Sequence, residues 1–470
     1  MILAISVLIY VIIMLPIALY AHKKVSTTSD YILAGRSLPF YIALATVFAT
    51  WFGSESILGA SAKFAEGGFS AVIEDPFGAG LCLIIAGVFF NRKLYKLSHL
   101  TIGDFFKARY NNIIAVFLSV VIIISYFGWV AAQFLALGIV LSTIIPFFSL
   151  TWAILFAASV VLMYTFFGGM YSVALLDTIQ SAVILIGLVA ILIFAIDKIG
   201  GIDQLLAVTP PDFWRVLPEN KDSLTAWIVF GTALMTFGFG SIPQQDIYQR
   251  AMSAKNANVS AWASIIGGVL YFTVVMIPLL IALVARHFYP EVLADDSQQL
   301  LLTLVTDHTP VILQILFFGA LVSAIISTAS GALLAPGSLL AENVVKPFFQ
   351  NISDGFRLKI VRTAVVVVAF GSLSLALAPD AKIYELVASA YSVTLVAAFI
   401  PLAFGLYSKH ANSFGALFSI IFGITVWQYI GTLDPEAIIP ATFYGFIASI
   451  IGMLLGTAIG SFIRKEEKVI

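Results

Sequence analysis

Long apolar stretches recur along almost the whole of this 470-residue chain. Most are about 20 residues or longer, which is the length that an α-helix needs to cross the hydrocarbon core of a bilayer. Only 10% of the residues are charged, against about 25% in an average soluble domain. A backbone in lipid must satisfy its own hydrogen bonds, and within one stretch of chain only a helix does so. The sequence therefore predicts an all-α integral membrane protein that resides in a lipid bilayer.

We place about thirteen membrane-spanning helices on the chain. The predicted spans are residues 2–21, 40–62, 71–90, 113–143, 150–167, 175–198, 224–243, 259–285, 311–341, 360–378, 383–406, 413–431 and 439–463. No low-complexity segment or long linker divides them, so we expect a single transmembrane domain over residues 1–470. The first span has no basic residue before it and is followed by Lys23 and Lys24, which favours a retained anchor over a cleaved signal peptide.

Basic residues predict the orientation of the chain. The set of alternate connections that includes the C-terminal tail holds 18 of the 24 Lys and Arg residues, and the opposite set holds 6. Basic connections stay on the cytoplasmic side. We therefore expect the N-terminus outside and the C-terminus inside, in the plasma membrane, or in the inner membrane if the source is a Gram-negative bacterium.

Composition also narrows the classes of function. Cys82 is the single cysteine and lies within a span, so neither a disulfide nor a cysteine metal site is expected. The net charge of −1 disfavours a nucleic-acid partner, and we find no glycine-rich phosphate loop with its lysine that would bind ATP. The five histidines fall at or beyond span ends, which argues mildly against proton coupling. We expect no enzyme, and any transport would be driven by an ion gradient.

Two membrane stretches carry polar groups that a plain anchor would lack. Residues 311–343 are apolar, but Ser323, Ser327, Thr328, Ser330 and Gly331 crowd one part of this stretch. Residues 49–56 read Ala-Thr-Trp-Phe-Gly-Ser-Glu-Ser, which predicts an interrupted helix with free carbonyls. Irregular backbone at membrane depth is tolerated only where it lines a protein cavity. Neutral oxygens without a cage of carboxylates suit a small, hard, monovalent cation, so sodium is the first candidate.

The same kind of interruption is predicted a second time, at residues 238–243, which read Gly-Phe-Gly-Ser-Ile-Pro. The shift of about 190 residues between the two breaks also carries the span 113–143 onto the span 311–341. An odd number of helices separates equivalent elements, so the two halves would have opposite orientations. We expect inverted repeats over about 40–198 and 224–406, as in many secondary transporters, with one extra span before them and two after.

Four motifs follow one another along the chain. They are Ala-Thr-Trp-Phe-Gly-Ser-Glu at 49–55, Gly-Gly-Met-Tyr-Ser-Val-Ala-Leu-Leu-Asp-Thr-Ile-Gln at 168–180, Ile-Pro-Gln-Gln-Asp-Ile-Tyr-Gln-Arg at 242–250 and Ser-Ala-Ile-Ile-Ser-Thr at 323–328. With the number and order of spans, they resemble the sodium/solute symporter family, whose members carry sugars, proline, pantothenate, iodide, sialic acid or choline. The resemblance implies a LeuT-type inverted-repeat fold and sodium-coupled import by alternating access.

The resemblance also implies a sodium site made of backbone carbonyls from the first broken helix and of a carbonyl and two hydroxyls from the hydroxyl-rich helix. By motif, its ligands are Ala49, Phe52, Ala324, Ser327 and Thr328. The alternative is that the hydroxyls bond back to carbonyls one turn earlier in their own helix. Asp177 is expected near the inner end of its span, along the sodium exit path. Its alternative role is that of an interfacial residue that caps a helix or pairs with a neighbour such as Arg250.

Solute contacts are expected at the same break. The predicted solute-binding residues are Trp51, Glu55, Ser56, Trp129, Gln244 and Gln245. Choline carriers of the family have tryptophans at the positions of Trp51 and Trp129, and they use them to enclose a quaternary ammonium by cation–π contact. The cage is incomplete here, because Gln244 and Ala79 stand where two further aromatic residues are expected. An amino acid such as proline, or another small polar or zwitterionic solute, fits at least as well, and choline, a sugar or a carboxylate are the alternatives.

The second and third predicted spans contain three carboxylates, Glu55, Glu74 and Asp75, which would be costly against lipid. We expect them to face a cavity or a loop, or to cap a helix in the case of Asp75, which precedes Pro76. Two other classes of function remain open, a channel with a hydroxyl-lined pore and a sensor that has lost transport. The sequence also leaves open the solute, the number of sodium ions and the oligomeric state, a monomer being one option.

Overall fold

The computed structural model describes residues 27–466 apart from residues 146, 168 and 350–352, together with residues 3–6, 9, 12, 13 and 16. Over these residues the regular elements are all helices, as predicted, and an isolated β-bridge joins Leu38 to Ala254. In chain order the α-helices are α1 Thr28–Leu33, α2 Phe40–Trp51, α3 Ala60–Gly67, α4 Ala79–Ile85, α5 Asn91–Lys96, α6 Ile102–Arg109, α7 Asn112–Ile144, α8 Leu150–Phe167, α9 Met170–Ile199, α10 Ile202–Val208, α11 Leu224–Gly238, α12 Gln245–Met252, α13 Ala257–Phe288, α14 Pro290–Asp296, α15 Leu300–His308, α16 Val311–Leu339, α17 Asp354–Ala376, α18 Ile383–Thr394, α19 Ile400–Tyr407, α20 Ser413–Leu433 and α21 Ala441–Glu466.

Most of the predicted spans correspond to helices. In the described part of the chain, nine continuous helical runs are long and apolar enough to cross a membrane, and the bent pair Phe40–Trp51 with Glu55–Gly67 makes ten. Two shorter apolar helices, Leu150–Met163 and Leu224–Gly238, lie at two further predicted spans. The predicted first span, residues 2–21, lies largely outside the described residues. The all-helical membrane fold is confirmed, and the count of thirteen stays a prediction.

Helix α2 is interrupted where the sequence predicts it. Regular helix ends at Trp51, and Phe52 has φ −87° and ψ 78°, which is not helical. The chain resumes as a π-helical turn over Glu55–Gly59, which continues into α3. The helical segments before and after the break, Phe40–Trp51 and Glu55–Gly67, are bent by 50° relative to each other. Small and polar residues at this position, in place of an apolar helical run, allow the backbone to leave the helix.

The second interruption separates α11 from α12 and is also confirmed. Gly240 within it packs directly on α18, because a Cβ atom there would lie 2.3 Å from the carbonyl oxygen of Tyr391. The Thr394 hydroxyl donates to the Gly240 carbonyl at 2.6 Å. A hydroxyl from the neighbouring helix thus satisfies a carbonyl that the break exposes. The division into two repeats stays a prediction.

Helix α9 lies against both polar stretches, the break of α2 and the hydroxyl-rich part of α16. Helix α9 packs against both α2 and α16, and α7 packs against α8, α16, α17 and α18. Helix α7 starts at an Asn111 side chain that accepts a hydrogen bond from the Ile114 amide at 2.9 Å, which is an ordinary N-cap. The break in α2 therefore faces the hydroxyl-rich segment of α16, with α9 alongside.

Candidate functional site

The interruption of α2 turns one backbone carbonyl away from its own helix. In a continuous helix the Gly53 amide would donate to the Ala49 oxygen, whereas here it lies 3.1 Å from the Trp51 oxygen. The Ala49 oxygen instead accepts a hydrogen bond from Thr328 Oγ1 at 3.4 Å. Gly53 permits this approach, since even a Cβ atom there would lie 3.3 Å from Thr328 Oγ1. A carbonyl and a hydroxyl predicted as sodium ligands are therefore neighbours.

The hydroxyls of α16 divide into two kinds. Ser330 donates to the Ile326 carbonyl at 2.8 Å, which is the local back-bonding common for hydroxyls in membrane helices. Ser327 and Thr328 do otherwise, because both reach across to other helices. The side chain of Ser323 lies outside the described residues. Bonding back to a carbonyl of the same helix therefore describes Ser330, but it does not describe Ser327 and Thr328.

A cavity of about 10 Å³ lies between α2, α9 and α16. It is lined by Ala49, Phe52, Asp177, Gln180, Ser181, Ile184, Ala324 and Thr328. Four of the five predicted sodium ligands share this cavity, and the fifth, Ser327, is bonded to Asp177, which lines it. A cavity of this size holds about one water-sized particle. Mainly neutral oxygens with one nearby carboxylate suit a small monovalent cation.

Asp177 is buried near the start of α9. Helix α9 begins at Met170, about two turns earlier. The relative exposure of Asp177 is only 1%. Its carboxylate accepts hydrogen bonds from Thr46 Oγ1 at 2.6 Å and from Ser327 Oγ at 2.8 Å. Its place along a sodium exit path stays a prediction.

Asp177 also pairs with Arg250, the neighbour weighed as its alternative partner. Arg250 is 1% exposed, with Nε 3.7 Å from Asp177 Oδ2 and Nη1 3.8 Å from Asp246 Oδ2. Asp246 Oδ1 in turn accepts a hydrogen bond from the Tyr126 hydroxyl at 2.6 Å. Gly331 leaves room for the guanidinium, because a Cβ atom there would lie 2.8 Å from Nη2. This buried chain leads from α16 through α9 and α12 to α7.

Aromatic rings cluster at the other side of the break. Trp51 lies 4.9 Å from Tyr391 and 5.6 Å from Phe237 between ring centroids, and Trp129 lies 6.4 Å from Tyr391. All four side chains are buried. Sequence reasoning missed Tyr391, because a single tyrosine in an apolar helix carries no local signal of its neighbours. The structure therefore supplies a third ring beside the two predicted tryptophans.

Polar groups beside these rings come from Glu55, Ser56 and α7. Glu55 Oε2 accepts hydrogen bonds from Gln133 Nε2 at 3.0 Å and from Ser54 Oγ at 3.3 Å. Ser56 Oγ donates to the Trp51 carbonyl at 2.6 Å and lies 2.7 Å from the Tyr271 hydroxyl. Glu55 and Ser56 are thus bonded within the protein, and Ser56 satisfies a second carbonyl at the break.

The two predicted glutamines are separated. Gln244 donates to Ser125 Oγ at 3.0 Å, and Ser125 lies one turn before Trp129 on α7. Gln245 begins α12, and its Oε1 accepts from the Ile102 amide at the start of α6 at 2.9 Å. The structure therefore brings Gln244 to the aromatic cluster and places Gln245 apart from it.

Comparisons with known proteins agree with this geometry. The family model described as "Sodium:solute symporter family" matches residues 31–423. The high-affinity choline transporter 1 of Drosophila melanogaster is 28% identical over 90% of this chain and 70% of its own length. The sodium/pantothenate symporter of Escherichia coli (strain K12) is 28% identical over 96% of both chains.

Solved structures show the same fold. A Na⁺-coupled sialic acid symporter in a substrate-bound, outward-open state has a TM-score of 0.81 to this chain at 20% identity, over 98% of both chains. A nucleobase-cation-symport-1 family transporter in a closed conformation has a TM-score of 0.61 at 14% identity, over 94% of this chain and 96% of its own. The predicted LeuT-type fold is confirmed by these likenesses.

Loss of the Arg250 charge should destabilise the protein far more than loss of an exposed one. We expect Arg250→Gln to cost about 3–5 kcal/mol, since it leaves two buried carboxylates without a cation. Arg215→Gln is the control, because Arg215 lies 3.0 Å from Glu219 at the surface and such pairs contribute about 0–1 kcal/mol. Thermal unfolding in detergent compares the two variants. Equal melting temperatures would contradict the buried network.

Proposed function

The chain belongs to the sodium:solute symporter family, and we propose that it is a sodium-coupled symporter that imports a small organic solute by alternating access. We propose no catalytic role. Sodium is the coupling ion and is carried with the solute. We further propose that the protein works in the plasma membrane, or in the inner membrane of a Gram-negative bacterium, with its N-terminus outside and its C-terminus in the cytoplasm.

One observation carries the proposal: the candidate ion site and the candidate solute site share one helix break. The Ala49 carbonyl faces Thr328, and two residues later the Trp51 ring lies in the aromatic cluster. A shift of α2 that opens one site therefore also moves the other. Two ligands bound at one mobile break stabilise the same arrangement, which is the requirement for coupled binding.

In the proposed cycle, sodium binds between α2 and α16, with Ala49, Phe52, Ala324, Ser327 and Thr328 as its ligands. This holds the two helices together and fixes Trp51 beside Tyr391, which completes the solute pocket. Rocking of the two predicted repeats, about 40–198 and 224–406, then exposes both ligands to the other side. The driving force includes the membrane potential, worth about 2.3 kcal/mol per charge per 100 mV.

The buried chain of charges supports coupling by a second route. Ser327 bonds to Asp177, and Arg250 links that carboxylate to Asp246 and Tyr126. The Tyr126 ring lies 5.8 Å from Trp129 between centroids. An ion that reorients Ser327 would thus disturb contacts leading to the solute pocket. We propose that Asp177 orients Ser327 in the bound state and attracts the sodium ion as it leaves.

For the solute we propose a small polar or zwitterionic molecule, such as an amino acid like proline. The rings of the aromatic cluster, the glutamine amides and the Glu55 carboxylate would together contact the positive group and the small apolar part of such a solute. Choline or another quaternary amine is the second candidate, favoured by the third ring, Tyr391, and by the named transport of choline in relatives. A purely anionic solute fits less well, because Glu55 would repel it. A thermal-shift screen against proline, choline, glucose and pantothenate, with and without sodium, tests this class.

Replacing the hydroxyls of Ser327 and Thr328 should strongly weaken the stimulation of uptake by sodium. We expect Ser327→Ala with Thr328→Ala to raise the sodium concentration for half-maximal uptake at least about tenfold, the equivalent of about 1.4 kcal/mol of lost ligand contacts. Ser330→Ala is the matched control, because that hydroxyl only bonds back within α16. Sodium-dependent uptake by cells with equal surface expression is the measurement, and an unchanged sodium requirement in the double variant would refute the site.

The tryptophans should act on solute affinity and less on sodium. Trp51→Leu and Trp129→Leu should each raise the half-saturating solute concentration roughly 2- to 30-fold, which corresponds to about 0.5–2 kcal/mol of ring contact. Trp262→Leu is the control, because this ring is 51% exposed on the outer surface of the bundle. Uptake kinetics at varied sodium and solute separate the two effects. A larger change in the sodium requirement than in solute affinity would assign both rings to packing.

A further inference from the structure

Two carboxylates at the break of α2 have no place in the sodium site described above. Glu55 and Asp75 are fully buried, both at 0% relative exposure. Glu55 follows the break of α2, and Asp75 precedes α4 in the next span.

A short series of hydroxyls joins the two residues. Asp75 Oδ1 accepts from the Tyr271 hydroxyl at 2.6 Å, and that hydroxyl lies 2.7 Å from Ser56 Oγ. Ser56 follows Glu55 directly and donates to the Trp51 carbonyl. Both carboxylates therefore border the same backbone break as the aromatic cluster.

Each carboxylate uses one oxygen and leaves the other without a hydrogen-bond partner among the described residues. The unpartnered atoms are Glu55 Oε1 and Asp75 Oδ2. Independently, the Oε1 atom of Gln133, which is 0% exposed and whose amide donates to Glu55, also lacks a partner there. The buried indole N–H groups of Trp51 and Trp129 also lack partners among the described residues. Because buried polar groups are usually paired, these three acceptor oxygens and two donors mark a place where a polar or charged ligand can bind.

The chain provides no positive side chain for this pair. In the described part of the structure, no Lys, Arg or His nitrogen lies within 4.0 Å of a Glu55 or Asp75 oxygen. Asp177 and Asp246 differ, because both pair with Arg250. Burying a carboxylate without a counter-charge is expensive in a low dielectric. A positive group that binds here during transport would offset this cost.

We propose that Glu55 and Asp75 form a second cation site, separate from the Ser327–Thr328 site, that binds a monovalent cation beside the solute pocket. The inference rests on the proposed function. The cation is either a further sodium ion or the ammonium group of the solute, since both need negative charge and acceptor oxygens. The neighbouring Trp51 ring adds an attractive face for an organic ammonium.

The test is cation binding to the purified full-length protein in lipid nanodiscs. Radioactive sodium gives the number of bound ions per protein, and thermal shifts with proline and with choline report binding of an ammonium group. The variants are Glu55→Gln and Asp75→Asn. Glu74→Gln is the control, because Glu74 is also acidic and adjacent but bonds to the Tyr384 hydroxyl at 2.9 Å and has Lys63 in electrostatic reach.

Both variants should lose binding while the control keeps it. One fewer sodium ion per protein, with the ion at Thr328 retained, would identify the cation as sodium. Unchanged sodium binding with a roughly 30-fold or greater loss of proline or choline affinity would identify it as the ammonium group, as expected for loss of one partner of a buried charge pair.

The inference is overturned if both variants bind sodium, proline and choline like Glu74→Gln. Infrared difference spectra of the wild-type protein keep the test independent of how the variants fold. Adding sodium or choline should change carboxylate bands, and no change with either would overturn the inference as well. Failure of the proposed function would look different, since the wild-type protein would then show no sodium-dependent uptake.

Discussion

The structure depends on how the interruption of α2 is satisfied inside the membrane. A carbonyl or amide left unpaired in hydrocarbon costs several kcal/mol, so a broken helix survives only where neighbours replace its missing hydrogen bonds. Thr328 from α16 bonds to the Ala49 carbonyl, and Ser56 donates to the Trp51 carbonyl. Stability and function share this solution. The hydroxyls that bond to the free carbonyls of the break are also oxygens able to bind a transported cation.

Buried charge organises the space around the break. Asp177 and Asp246 share the single guanidinium of Arg250, which makes a compact network that any movement of α2, α9 or α12 must carry along or break. Glu55 and Asp75 have no such partner among the described residues. Asp177 and Asp246, with Arg250, therefore act as a fixed structural link between the candidate sodium site and the candidate solute site. Glu55 and Asp75 are the carboxylates at which we propose that a cation binds and leaves during a transport cycle.

Sequence alone predicts the parts of this account that depend on local pattern. Hydropathy marks the spans, because a bilayer imposes one length on every helix. Small and polar residues mark both breaks, and the motif around Ser327 and Thr328 marks the Thr328 hydroxyl that the structure places beside the Ala49 carbonyl.

The remaining features depend on tertiary position. The surroundings of Asp177 depend on two other helices, because Thr46 of α2 and Ser327 of α16 both donate to its carboxylate. Gln244 and Gln245 are adjacent in sequence, but only the second belongs to α12, so their side chains diverge. Two contacts join residues that are far apart in the chain, so no local pattern predicts them. They are the contact between Tyr391 and Trp129 and the hydrogen bond from Tyr271 to Asp75.

Solute accumulation by the purified protein in proteoliposomes would show whether sodium and solute cross the membrane together. A solute identified by sodium-dependent stabilisation is supplied outside, with a sodium gradient directed inward or with sodium equal on both sides. The account predicts transient accumulation above the external concentration only under the gradient, because sodium and solute cross together. Flux that merely equilibrates the solute, at the same rate with and without a sodium gradient, would contradict coupling and would indicate a channel or an uncoupled carrier.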